Sequence, residues 1–434
     1  MMKAIIFFLM LIFMPVTVES AELIQNYWII VNSNGQILTY DGSKFHYIAS
    51  LGSGTYAVES NGRYWLIKKQ NTNGTEFFIF DGKVLKNLTH EIIPMLRDFG
   101  IAYHMKWGGD KWLITSSNAV VEFNESELVV YPAPADIKLV ETEPEWNGEY
   151  WLMAGSASGK PVLIRYRDGR WKVVSLSDMK GEILDVAWNG DYWLICAYLY
   201  SKEAGILPKL YKYDGLSLDE VTIPNKILKK GESGDVPVIA AWDGEEWVIG
   251  VERGGVLFTK LVRFDGSGFK SIQVAGRSTH PLLTDARIED IRCNDAYCLI
   301  YFQNMRQMGI LAKYDRNELH VLDNIPGFTS LISDYRWNGD YWLIGEYSLT
   351  GKSMLLKYNG SDFVELTDIM LSTLSTAPEE TNTGRIVFSP LLEQDTLNLK
   401  TDKGVCGPAA VVIILFMVLI GRRFATFTSL NFRF

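Results

Sequence analysis

One octapeptide recurs along the chain, and it limits the fold more than any other feature. WNGEYWLM (Trp146–Met153), WNGDYWLI (Trp188–Ile195), WDGEEWVI (Trp242–Ile249) and WNGDYWLI (Trp337–Ile344) are copies of one motif, with WGGDKWLI (Trp107–Ile114) a variant. SNGRYWLI (Ser60–Ile67) and CNDAYCLI (Cys293–Ile300) are weaker copies, and QNYWII (Gln25–Ile30) is a truncated first one. The second aromatic, or its cysteine substitute, falls at 28, 65, 112, 151, 193, 247, 298 and 342. The mean spacing is about 45 residues, the length of one propeller blade.

A second signal follows the copies: ILTYDG (Ile37–Gly42), FFIFDG (Phe77–Gly82), LYKYDG (Leu210–Gly215), LVRFDG (Leu261–Gly266) and LLKYNG (Leu355–Gly360). Asn-Gly and Asp-Gly favour two-residue hairpin turns, whose central residues both need positive φ. Each unit therefore reads as four strands. Strand A ends at the first Trp, strand B is the YWLI run, strand C the LLKY run, and strand D follows the second glycine turn, as in Phe363–Leu366.

YWLI is apolar on consecutive residues, whereas a sheet with one wet face alternates apolar with polar. Both faces of strand B are expected to be dry, which suits blades stacked on blades. The expected class is all-β, a single propeller of four-stranded antiparallel blades over residues 21–370. Eight blades is the literal count. Seven is the alternative, because the first copy lacks its strand A; the apolar run Arg385–Leu392 is a candidate to return and supply it. The rest of 371–404 is rich in Ser, Thr, Glu and Asn and reads as a stalk.

The ends read as addresses. Lys3, the apolar run Ala4–Val16 and small residues before Ala21 make residues 1–20 a signal peptide, with an uncleaved anchor as the alternative. Ala409–Ile420 is apolar throughout and precedes Arg422 and Arg423. Counted from Val405, it rises about 24 Å as a helix, so 405–423 is expected to be a C-terminal apolar helix anchoring the chain, followed by a tail, 424–434. Cys406-Gly407-Pro408, the apolar stretch and the arginines resemble the C-terminal sorting segment of cell-surface proteins from hyperthermophilic archaea of the Thermococcales. That resemblance implies processing of the segment and lipid attachment at Cys406. Such segments end at the arginines, whereas here Phe424–Phe434 follow. The WNG-x-YW-LI repeats are also similar to those of exported propellers from the same organisms, which implies a fold and no activity.

The chemistry of catalysis is not evident. The histidines (His46, His90, His104, His280, His320) have no metal-ligand spacing, and no phosphate loop, zinc signature or nucleophile elbow occurs. No catalytic residue, metal or cofactor is assigned. RYRDGRW (Arg165–Trp171) reads as the C–D hairpin of the fourth blade. The acidic residues after the turns (Asp110, Glu149, Asp191, Glu245, Asp340) are too dispersed for a glycosidase pair and read as solvated. With a net charge of −9 and no basic stripe, nucleic-acid binding is excluded. Cys293 and Cys298 replace both Trp of one copy, which suggests a cross-strand disulfide between diagonal neighbours. Cys196 reads as a core residue. Asn73, Asn87, Asn124 and Asn359 begin N-x-[ST] glycosylation sequons.

In a meander the A–B and C–D turns share one rim, and the B–C and D–A connections share the other. The second set varies in length (Tyr198–Pro208, Pro224–Asp235, Gln273–Asp285, Gln303–Gly309), and variable loops on a rigid scaffold carry recognition. Tyr198, Tyr200, Lys202, Lys229, Lys230, Arg277, His280 and Arg306 are the candidate ligand residues there. The expected function is a cell-surface, non-catalytic binding module for an extracellular protein or glycan. The alternative is an extracellular propeller enzyme, a glycan hydrolase or lyase, which a carboxylate cluster around the channel would favour.

Overall fold

The computed structural model describes residues 27–391, apart from 101, 125–126, 140–141, 226, 229–234, 254–255, 276–282, 284, 307, 323–324, 326–330, 348–352 and 376–384. The signal peptide, the apolar segment with Cys406 and the tail lie outside the described residues. Among the described residues, no helix is long and apolar enough to cross a membrane.

The chain is an eight-bladed β-propeller of antiparallel four-stranded sheets. Contacts group it into two compact units. One holds blades one, two and eight; the other holds blades three to seven, apart from the hairpin 303–311.

In the first unit the strand order of blade one runs from Phe45–Ser50 through Gln36–Tyr40 and Trp28–Asn32 to Ile386–Pro390. The C-terminal run thus supplies the missing strand A, with Trp28 opposite Pro390 and Asn32 opposite Ile386. Ile386 and Phe388 are fully buried in a cluster with Trp28, Ile30 and Leu343. The neighbouring blades hold this strand from both sides. Asp334 on strand A of blade eight accepts the Phe388 amide at 3.5 Å. Arg336, two residues on, reaches Glu59 on strand A of blade two at 3.1 Å.

Two helices were not evident in the sequence: α1 (Thr89–Leu96) and α2 (Thr367–Leu374). Each follows a strand D and opens with a threonine whose hydroxyl takes a strand C amide, Phe77 for Thr89 and Leu355 for Thr367. Met370 and Leu374 are buried beside Trp28. The start of the expected stalk is therefore a packed part of the propeller.

In the second unit both faces of strand B are dry. In blade five (strand B, Trp193–Ser201), Trp193 and Ile195 pack against Tyr150 and Leu152 of blade four. Leu194 and Cys196 pack against Trp247 and Ile249 of blade six. Each such Leu or Ile contributes about 1.5–3 kcal/mol by leaving water, and the two-sided packing explains why polar residues are absent from YWLI.

The turns differ from the expectation. Trp146 pairs with Trp151, so four residues, not two, lie between strands A and B. Gly148 has φ 91°, while Asn147 keeps ordinary φ and uses its Oδ1 to accept the amides of Glu149 and Tyr150 at 2.9 and 2.8 Å. The asparagine is chosen for its side-chain acceptor rather than for left-handed backbone. The expected two-residue form occurs at Asp168–Gly169, where φ is 48° and 74° and Arg167 pairs with Arg170; this is the C–D hairpin of blade four.

A disulfide joins Cys293 and Cys298, with Cα atoms 3.9 Å apart. The separation matches that of Trp337 and Trp342, which pair directly, so the cysteines face each other rather than lying diagonally. Cys196 is free and buried.

Candidate functional site

The turn rim is held together blade to blade by the residues of the repeat itself. The strand B indole of one blade donates to the tyrosine before the strand B Trp of the preceding blade: Trp193 to Tyr150 at 3.0 Å, Trp247 to Tyr192 at 2.9 Å, and, in the first unit, Trp28 to Tyr341 at 2.9 Å. A strand C cation lies over the same tyrosine, Arg165 over Tyr150 at 3.9 Å and Lys212 over Tyr192 at 4.8 Å. That cation then donates to a C–D turn carbonyl of the next blade, Arg165 to Gly215 and Lys212 to Gly266. Glu149 pairs with the Arg165 that lies over Tyr150, and Glu245 with Arg316 in the C–D turn of blade seven, so these two post-turn acids, expected to be solvated, are engaged in ion pairs. The invariance of this rim has a structural cause.

The opposite rim is where the B–C turns and D–A connections meet. In blade six, Arg253 at the end of strand B and Lys260 on strand C both reach Asp235, which opens strand A and is fully buried. Lys260 also bonds the Ile227 carbonyl in the preceding D–A connection. Ile227 and Leu228 are buried in the core. Part of the Pro224–Asp235 loop is thus packed structure rather than free recognition surface. Gln273–Val274 likewise pairs as a short parallel strand on strand D of blade seven (Glu318–Val321).

The predicted ligand residues divide as follows. Tyr198 and Tyr200 lie on the end of strand B in blade five, and Lys202 lies in the turn beyond it. Their ring centroids are 5.1 Å apart, nearly perpendicular. Burial first, and then the neighbouring Tyr200 and Glu182, push the Tyr198 phenol up. Arg306 sits in a separate turn, its amide donating to Asn304 Oδ1. Lys229, Lys230, Arg277 and His280 lie outside the described residues. Of the sequon asparagines, Asn73 is exposed in the B–C turn of blade two, and Asn359 lies in the C–D turn of blade eight, where its Oδ1 accepts the Ser361 and Asp362 amides. Asn87 ends strand D of blade two, with its Oδ1 accepting the Thr89 amide, and Asn124 lies in the C–D turn of blade three.

A second candidate was missed. In the second unit the A strands are the inner strands, and several of the residues three and one before each first Trp, or its Cys293 substitute, carry charge. They include His104, Glu143, Asp185 and Asp290 at the first position, and Lys106 and Arg292 at the second. Lys106 reaches Glu143 at 2.9 Å, His104 lies 3.9 Å from it, and Arg292 reaches Asp290 at 2.7 Å. The Glu143 side chain is 57% exposed, yet Lys106 first, then His104 and Arg292, hold its carboxyl down at about 2, against the opposing effect of burial. Asp185 is pushed up to about 7, by burial first and then by Asp290 and Glu143, although the Ala240 and Val186 amides oppose this. Its Oδ2 accepts the Ala240 amide of the next inner strand at 2.8 Å. Counting back from each Trp would have exposed this row. Among the described residues, no three His, Cys, Asp or Glu side chains gather closely enough to hold a metal ion.

Fold and site together define an eight-bladed propeller whose repeat residues are engaged between blades on the turn side. No protein family matches the chain, and no curated protein sequence does. Solved structures do match. A structure from a study of two prolyl endopeptidases is 11% identical, covering 72% of this chain and 49% of that one, with TM-score 0.48. Acylaminoacyl peptidase of Pyrococcus horikoshii is 12% identical, covering 75% and 54%, TM-score 0.46. YCF48 from Cyanidioschyzon merolae is 13% identical, covering 67% and 92%, TM-score 0.42. The chain spans about half the length of the peptidase chains it matches. These likenesses are of fold alone.

Proposed function

We propose that this chain is a non-catalytic binding module displayed outside the cell, engaging its protein or glycan ligand through the loop rim. The observation that carries this reading is the asymmetry of the rims. On the turn side the tyrosines and strand C cations of the repeat are engaged between blades. On the loop side, Tyr200 is exposed on a strand end held by backbone bonds. The signal-like N-terminus and the Cys-Gly-Pro segment support export and anchoring. The test is a glycan and protein binding screen of the full-length chain, with hydrolysis products monitored. Exchanging the exposed turn-rim residues Asp110, Asp191 and Asp340 should leave binding intact. Abolished binding in those variants would refute the assignment of the rims. Labelling of intact cells with an antibody against the propeller tests display.

One observation favours an enzyme instead. Glu143 and Asp185 hold the same place, three residues before the first Trp, in adjacent blades four and five, and their carboxyl groups are driven in opposite directions, Glu143 down by Lys106 and Asp185 up by burial. Against it, Asp185 is engaged by the Ala240 amide and Glu143 by Lys106. Glycan cleavage that Asp185→Asn abolishes would establish the enzyme reading.

A further inference from the structure

Blade five ends its strand B in a feature of its own. Strands B and C run for nine residues each, Trp193–Ser201 and Gly205–Tyr213. Tyr198 and Tyr200, two residues apart, project from the same face. Their perpendicular rings touch edge to face. Glu182 lies directly opposite Tyr198 on strand A and so shares its face. The Tyr200 amide donates to the Lys180 carbonyl at 2.7 Å, which fixes the strand end, and Ser201 Oγ accepts the Glu203 and Ala204 amides in the turn beyond. Tyr200 itself is 52% exposed.

The result is one open aromatic face with a carboxylate and two phenols at its edge, held before any ligand arrives. An aromatic face is electron-rich and attracts the polarised C–H groups of a pyranose ring. A carboxylate accepts two neighbouring sugar hydroxyls, and phenols both give and accept. We infer that Glu182, Tyr198 and Tyr200 form a saccharide-binding ledge, with one sugar ring stacked on Tyr200 and its hydroxyls bonded by Glu182. This rests on the binding-module reading and names its ligand class. A protein partner would need a broader apolar patch. Among the described residues of blade five, Tyr200 and Leu216 are the large exposed hydrophobics, and Leu216 lies in the C–D turn on the other rim. The edge contact between the rings leaves no aromatic cage for an ammonium group.

The test is calorimetric titration of the full-length chain with hexasaccharides of α-1,4-linked glucose, β-1,4-linked glucose, mannose and N-acetylglucosamine. At least one should bind with Kd between about 10 μM and 1 mM. Tyr200→Ala should weaken it about tenfold or more, Glu182→Gln about three- to tenfold, and Tyr200→Trp should retain it. Melting temperatures of the variants, equal to that of the parent, separate lost binding from lost fold. If none of the four binds, or if Tyr200→Ala binds as tightly as the parent, the ledge is refuted. A protein ligand from the screen whose binding survives Tyr200→Ala and Glu182→Gln, with no saccharide bound, refutes the ledge and leaves the module reading standing. Release of reducing ends from the panel overturns the module reading and this inference with it.

Discussion

Glu346 gives the sharpest test of the packing. It lies on strand B of blade eight (Trp342–Tyr347), between Ile332 and Met354 on the flanking strands. It is 0% exposed, and neither carboxyl oxygen has a hydrogen-bond partner. Burial first, and then the charge of Glu365, raises its pKa from 4.5 to about 8. The folded chain therefore keeps a proton there that the unfolded chain releases above pH 4.5. The contribution to stability is complete below about 4.5 and is lost as pH rises through about 8. At about 1.4 kcal/mol per pH unit, the loss reaches about 3 kcal/mol at pH 7 and levels off near 5 kcal/mol above pH 8. Glu346→Gln keeps the shape and removes the titration, so the two chains should have similar denaturant midpoints at pH 4.5, diverge up to about pH 8 and run parallel above it, the variant being the more stable. The assay is urea denaturation of both chains, followed by tryptophan fluorescence, across that range. Profiles parallel across the whole range would refute the burial argument, because they would mean that the carboxyl ionises freely in the folded state.

Four further outcomes follow from the same structure. Phe388→Ala empties a fully buried site on the closing strand and should cost about 3–5 kcal/mol, measured by denaturation; a cost below 1 kcal/mol would mean that the C-terminal strand does not close blade one. Asp235→Ala leaves Arg253 and Lys260 without their buried partner and should cost about 3 kcal/mol, seen as a lowered denaturant midpoint. Tyr192→Phe removes the acceptor of the Trp247 indole and should cost about 1–2 kcal/mol; a double-mutant cycle with Trp247→Phe should show coupling if the clamp is real. Intact mass should rise by two hydrogens on reduction under denaturing conditions, from the Cys293–Cys298 bridge; no change would reject it.

Much of the fold was legible because the repeat carries its own geometry. The two apolar faces of YWLI announced stacked sheets, and Leu194 and Ile195 indeed pack against different neighbours. The closing strand was visible as an apolar run, Arg385–Leu392, and resolves the count at eight. The helices were not seen, although Leu88-Thr89 and Leu366-Thr367 stand at equivalent places after their turns, and in both the threonine caps a strand C amide. The turn type was misjudged because Asn-Gly supports either left-handed backbone or side-chain capping, and the dipeptide alone does not distinguish them.

The site was less legible for a physical reason. A residue's part in the motif reflects what its neighbours need, and here the neighbour is often the next blade. The tyrosine of YWLI looked like core filler, but its hydroxyl receives the following blade's indole. The lysine of LYKY carries no signal within its own copy, yet Lys212 spans to the next turn. The acids of strand A looked unremarkable within a single copy. They matter once copies are placed side by side, since Asp185 caps the inner edge of blade six and Asp334 that of blade one. Unpaired strand edges are a liability that proteins cover with side chains or bulges, and the inner strands show both, with register breaks at Ile183/Asp185, Pro237/Ile239 and Ile332/Asp334. Charge on the inner strands is thus partly explained by edge protection. That leaves the half-exposed Tyr200 ledge, which neither capping nor blade contact accounts for, as the place where ligand binding should be sought first.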